Sequence, residues 1–233
     1  MNKEQLKSKI LLKKSFLCIG LDPNLDFFPK HVLEKDDPIF FFNKHIIDST
    51  KEFCVSYKIN LAFFERYGEQ GIASLRRTLD YIPKEIFVIA DGKRGDVFHS
   101  SKMYADSLYD ELNFDASTLN PYMGSDAIIP FQKKGKWSII LSATSNPSSK
   151  DFQMIKTENG IPLYLEVVKK AKDWGSSDNI MFVVGGTNPL IIKDIRIHAS
   201  DFFFLVPGFG TQGGDLDEIF QCGYNKDIGL LIN

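Results

Sequence analysis

Apolar and polar positions along this chain come in blocks rather than in strict alternation. Eight short apolar runs recur, most of them near-continuous, and each is followed by Gly, Pro, Asn or Asp. They are FLCIGLD (16–22), CVSYKIN (54–60), IFVIADG (86–92), FDASTLNP (114–121), WSIILSAT (137–144), IMFVVGGT (180–187), FFFLVPG (202–208) and IGLLIN (228–233). Short continuous apolar runs bounded by turn residues predict strands buried on both faces. Helical patterns fill the gaps. PIFFFNKHIIDSTKEF follows the first run, and EQGIASLRRTLDYI the second, with Ile72, Leu75, Leu79 and Ile82 on one face. Met103, Leu108 and Leu112 partly mark a third helix, and SDAIIPFQKKG is expected to open a fourth, capped by Ser125 and Asp126. PLYLEVVKKAKDWG, PLIIKDIRIHA and DLDEIFQCG supply later ones.

Strand–helix alternation repeated eight times predicts an α/β fold, a parallel (β/α)₈ TIM barrel, as one domain over residues 1–233. An open doubly wound sheet fits less well, because no GxGxxG follows the first strand. The longest connection, about 144–160, is polar and contains SNPSSKD. It is either a lid over a site or a surface excursion.

Composition narrows the class. The chain of 233 residues is 43% hydrophobic and 25% charged, enough for a sizeable core. A formal net charge of −2, with no basic block beyond the short KKGK at 133–136, argues against a nucleic-acid partner. Cys18 and Cys54 fall in predicted strands and Cys222 in a predicted helix. None has metal-ligand spacing, and the odd count fits free thiols in a reducing compartment. No run approaches the roughly 20 apolar residues of a membrane span, and the N-terminus lacks a signal-peptide cleavage site. A cytoplasmic location is the expectation.

In a (β/α)₈ barrel, chemistry sits where strands end and βα loops begin. Those ends carry Asp22, then Lys58 and Asn60, then Asp91, Lys93 and Asp96, then Asn120, then Ser142 and Ser145. Two residues apart on an extended backbone, Asp91 and Lys93 should point to one side. Lys58 ends the neighbouring strand. The expected result is a Lys–Asp–Lys–Asp array whose opposite charges lower the carboxylate pKa values. A helix-capping role would explain Asp96 alone but not the convergence of the other three. GGT at 185–187 and GFGTQGGD at 208–215 are glycine-rich loops in late positions, where backbone N–H groups commonly meet a phosphate. His31, His45, His99 and His198 lack motif spacing, and the 20 phenylalanines are expected to pack the core.

Read together, DGKRGD (91–96), GLDPN (20–24), YKINLAFFERYGEQG (57–71), LNPYMGSD (119–126), TSNP (144–147), FVVGGT (182–187) and VPGFGTQGGD (206–215) resemble the orotidine 5′-phosphate decarboxylase family, along nearly the whole chain and in order. KRGDVFHSSKMYA resembles its bacterial branch. The resemblance implies a homodimeric barrel with shared active sites that makes uridine 5′-monophosphate without metal or organic cofactor. It implies Lys93 as proton donor to carbon six, Asp91 against the departing carboxylate, and Lys58 holding Asp91 and the ribose. Asp96, with Ser100 after it, would reach into the partner's site, and Asp22 would bind a ribose hydroxyl. Asn60 and Asn120 complete the expected nucleotide-binding set. Ser145 and the Pro207 backbone would read the pyrimidine edge, and Gln212 with the Gly185 and Gly186 amides would contact phosphate.

Two features depart from the family pattern. After Asp96 the family has a small residue and then Thr, whereas this chain runs Val97–Phe98–His99–Ser100, with bulky Phe98. The last arginine is Arg196, so the arginine the family carries past strand eight is missing, and a chain cut short after that strand is the expectation. Magnesium-dependent sugar-phosphate enzymes related to 3-hexulose-6-phosphate synthase share D-x-K-x-x-D but place an acid where Lys58 stands. Lys58 speaks against them. A nucleotide-binding homologue without turnover is the third alternative.

Overall fold

The computed structural model describes residues 1–209 and 213–233. After an N-terminal helix α1 (Lys3–Lys13), the elements run β1 (Cys18–Leu21), α2 (Lys30–Leu33), α3 (Pro38–Thr50), β2 (Ser56–Asn60), α4 (Ala62–Glu65) and α5 (Gly68–Tyr81). Then come β3 (Phe87–Arg94), α6 (Phe98–Asp106), β4 (Ala116–Leu119), β5 (Trp137–Ala143), α7 (Leu163–Ala171) and β6 (Ile180–Val184). The chain continues through α8 (Pro189–His198), β7 (Phe203–Val206), α9 (Leu216–Gly223) and β8 (Leu230–Ile232). All eight predicted strands are present, paired in parallel in sequence order. A parallel bridge between Leu17 and Ile232, with Ile232 N–H donating to the Phe16 carbonyl at 3.0 Å, brings β8 against the start of β1. The fold is the expected TIM barrel.

Alternate residues on each strand enter two separate apolar clusters. Phe87, Ile89, Trp137, Ile139, Met181, Val183, Phe203 and Leu205 fill the barrel interior, whereas Val88, Ala90, Ile140, Phe182 and Phe204 pack outward against the helices. Burial on both faces is why these strands lack polar alternation.

The periodicity gave no warning of α1. Its Leu6 and Ile10, almost fully buried, join the interior cluster with Val55, just before β2, and with Phe87 and Trp137, the first residues of β3 and β5. The helix thus plugs the end of the barrel opposite the site. Asn2 caps it, with Gln5 reciprocating.

The fourth predicted helix is absent. Residues 125–127 and 129–131 form two short 3₁₀ turns, and the cap position is Gly124 rather than Ser125. Pro130 explains this: it has no N–H to donate and its ring blocks the preceding turn of an α-helix. Cys54 lies just before β2 rather than in it. All three cysteines are free. Among the described residues, no helix is long and apolar enough to cross a membrane.

Candidate active site

A cavity of about 620 Å³ opens at the C-terminal ends of the strands. Lys58 from β2 and Asp91 and Lys93 from β3 form its floor. Asp91 is the hub. Its Oδ2 accepts from Lys58 Nζ at 2.9 Å, and its Oδ1 from Lys93 Nζ at 2.6 Å and from the Thr118 hydroxyl at 2.9 Å. The Asp91 and Lys58 side chains are only 7% and 8% exposed, while Lys93 is 49% exposed and faces the cavity.

Burial disfavours charge on Asp91, yet Lys58 and Lys93 outweigh it and hold the carboxyl below the usual carboxylate range. Burial likewise works against the Lys58 ammonium, and the charges of Asp91 and Asp22 overcome it, so its pKa is raised. The interior therefore holds a carboxylate between two ammonium groups.

The expected pairing of Asp91 with Lys93 is present, but regular strand alternation does not produce it. The β3–β4 register shifts between Ala90 and Arg94, and Lys93 has a left-handed backbone at φ 46°. Non-glycine residues adopt that conformation at a cost of about 1–2 kcal/mol, and clusters of such strain mark functional sites.

Asp22 and Asn60 line the same cavity. The Asp22 carboxyl is pushed up, chiefly by desolvation, with Lys58 opposing. Ser145 and Pro207 are also on the wall, as are Thr144, Asn146 and Gln153 from the 144–160 connection. That connection therefore forms part of the site rather than a detached excursion. Gln153 anchors it, its side chain bonding Thr144 at two points, each 2.8 Å.

Other expected residues stand elsewhere. Asp96, Ser100 and Asn120 do not line this cavity. Asp96 turns its Oδ1 to the Val97 N–H at 2.7 Å, and Asn120 caps a turn through the Tyr122 N–H at 3.0 Å. Gly185 and Gly186 are buried, and their amides are already engaged: Gly185 donates to the Ala143 carbonyl at 2.7 Å and Gly186 to the Pro207 carbonyl at 2.8 Å. The expectation that these two amides face a phosphate needs correcting. Glycine is needed here because a Cβ on Gly185 would lie 2.7 Å from the Ser145 nitrogen. Gln212 lies outside the described residues. Arg94 turns away behind β3, ion-paired with Glu65 and 5.1 Å from the Tyr104 ring centre. Sequence reasoning missed Thr118, whose only signal was its place near the end of β4.

Comparison with known proteins fits this geometry. The model of the "Orotidine 5'-phosphate decarboxylase / HUMPS family" matches residues 15–225. The chain belongs to that family. A curated orotidine 5′-phosphate decarboxylase of Flavobacterium johnsoniae is 50% identical across all of this chain and 86% of its own length. One from Bacteroides fragilis is 45% identical over the same shares. Among solved structures, OMP decarboxylase of Leishmania donovani superposes with a TM-score of 0.88 at 34% identity, covering 100% of this chain and 88% of that one. UMP synthase of the same organism gives 0.90 at 36%, covering 99% of this chain and 50% of that one.

Proposed function

We propose that this protein decarboxylates orotidine 5′-phosphate to uridine 5′-monophosphate and carbon dioxide in pyrimidine biosynthesis. The observation that carries the reading is Asp91 held between Lys58 and Lys93 on the floor of a cavity large enough for a nucleotide. In this reading the bond from carbon six to the carboxylate breaks heterolytically and carbon dioxide leaves. The electron pair stays on carbon six, and Lys93 Nζ delivers a proton there. A fixed ammonium where negative charge develops stabilises the transition state more than the ground state. Asp91 faces the departing carboxylate and orients Lys93, Lys58 keeps Asp91 ionised, and Asp22 takes a ribose hydroxyl. Neither metal nor organic cofactor takes part. Lys58 is what favours this over a magnesium-dependent relative: an acid in its place would supply a metal ligand, whereas an ammonium repels a cation.

The test follows loss of orotidine monophosphate absorbance in the presence of a chelator, with wild type and Lys93→Ala. Chelator-resistant turnover that disappears in Lys93→Ala while the fold is kept is expected; near-normal turnover by the variant refutes the assignment.

The working unit in this reading is a homodimer in which Asp96 serves the neighbour's site. Its position outside its own chain's cavity supports this, as do the exposed apolar side chains Val97, Phe98 and Met103 nearby. Mixed Lys93→Ala and Asp96→Ala subunits then form heterodimers with one intact site, and random pairing restores about a quarter of wild-type activity. No recovery on mixing two inactive variants would place Asp96 in its own chain's chemistry, and full activity of Asp96→Ala alone would place it in none.

A further inference from the structure

The β3 ladder is interrupted where the site begins. From Ala90 to Arg94 the chain takes four steps, while the facing strand takes two, from Ser117 to Leu119. Such a bulge leaves amides in the extra residues without a backbone partner. Beyond it the ladder resumes, with Asn120 N–H donating to the Arg94 carbonyl at 2.8 Å. Lys93, inside the bulge, finds a side chain instead: its N–H donates to Thr118 Oγ1 at 3.0 Å. The same hydroxyl donates to Asp91 Oδ1 at 2.9 Å, and that oxygen accepts from Lys93 Nζ at 2.6 Å. The three residues close a ring: Lys93 backbone, Thr118 hydroxyl, Asp91 carboxylate, Lys93 ammonium. Thr118 is only 1% exposed, so water does not readily replace it.

We propose that Thr118 is a positioning residue for this site. It holds Lys93 in its left-handed conformation and aims the Asp91 carboxylate at the Lys93 ammonium. The inference rests on the decarboxylase reading of the cavity. A hydroxyl suits the task because it accepts one hydrogen bond and donates another from a single atom. Valine has the same shape and does neither. Without the hydroxyl, the Lys93 N–H loses its partner, and Asp91 Oδ1 keeps only the partly exposed ammonium. Small displacements of a reacting group are costly: a shift of about 1 Å can reduce turnover about 100-fold.

The experiment compares Thr118→Val, Thr118→Ala and Thr118→Ser with wild type by steady-state decarboxylation, calorimetric binding of uridine monophosphate and thermal unfolding. For Val and Ala we expect kcat to fall about 10- to 100-fold, with KM and uridine monophosphate affinity near wild type. Thr118→Ser, which keeps the hydroxyl, restores most of kcat. Three results overturn the inference: turnover near wild type in Val and Ala, an equal fall in Ser, or a loss of affinity parallel to the loss of kcat. If Val fails to fold, the Ala–Ser pair decides the matter alone. Wild type that binds uridine monophosphate but turns over no orotidine monophosphate sinks the decarboxylase reading, and the inference with it. Active wild type with unaffected variants sinks the inference alone.

Discussion

Removing Asp91 should damage the fold as well as the chemistry. In Asp91→Ala, Lys58, with 8% of its side chain exposed, loses its 2.9 Å partner, and Thr118 loses its acceptor. Removing one partner of a buried ion pair costs about 3–5 kcal/mol. The cavity is open, so water can solvate the stranded ammonium in part, which puts the expected loss near 3 kcal/mol. For a chain of this size, that lowers Tm by about 6–12 °C. Lys93 is different: 49% of its side chain is exposed. Lys93→Ala should cost less than about 1 kcal/mol, although both variants lose turnover. The check is thermal and urea unfolding of both variants beside wild type across pH. Because the folded-state pKa of Asp91 is depressed, its contribution is present above the ordinary carboxylate pKa and is lost as pH falls through the folded value. The stability gap between wild type and Asp91→Ala should therefore hold from neutral pH to about 5 and shrink only in stronger acid. An Asp91→Ala protein as stable as wild type, or a Lys93→Ala protein equally destabilised, would refute the account of Asp91 as the hub.

Lys93→Gly should unfold about 2–4 °C above Lys93→Ala, since glycine adopts φ 46° with little of the roughly 1 kcal/mol cost; equal Tm values would mean the left-handed backbone stores no strain. Asp22 has a raised folded-state pKa, so its protonation stabilises the fold below the ordinary carboxylate pKa, and that effect is gone once pH passes the folded value. Asp22→Asn should therefore raise Tm at neutral pH while weakening uridine monophosphate binding in calorimetry. Gly185→Ala, whose Cβ would lie 2.7 Å from the Ser145 nitrogen, should force the β5 and β6 loops apart and lower both Tm and nucleotide affinity.

Much of the architecture was legible because it depends on local pattern. Strands buried on both faces are mostly apolar, and the turns after them need Gly, Pro, Asn or Asp, so eight strands and their C-terminal ends could be marked from residue type. Lys58, Asp91 and Lys93 could be grouped because adjacent parallel strands of a barrel end side by side. The failures have equally local causes. Pro130 stops a helix that hydrophobic spacing around 125–131 suggests. The α1 sequence KEQLKSKILLK carries too few apolar residues to announce that two of them, Leu6 and Ile10, plug the barrel.

What the sequence by itself determined is the barrel, the end of it where Lys58, Asp91 and Lys93 line a cavity, and the family. What only the tertiary structure decided is how single groups are used. Whether a glycine amide faces a ligand or a carbonyl depends on what packs against it, and Gly185 and Gly186 are both taken by neighbouring backbone. Whether Lys93 meets Asp91 through an extended or a left-handed backbone depends on the β3–β4 register, a relation between segments more than twenty residues apart. The role of Thr118 exists only through that register. Hydrogen-bond partners are decided by small differences in distance between groups on different strands, and no one strand's sequence encodes them.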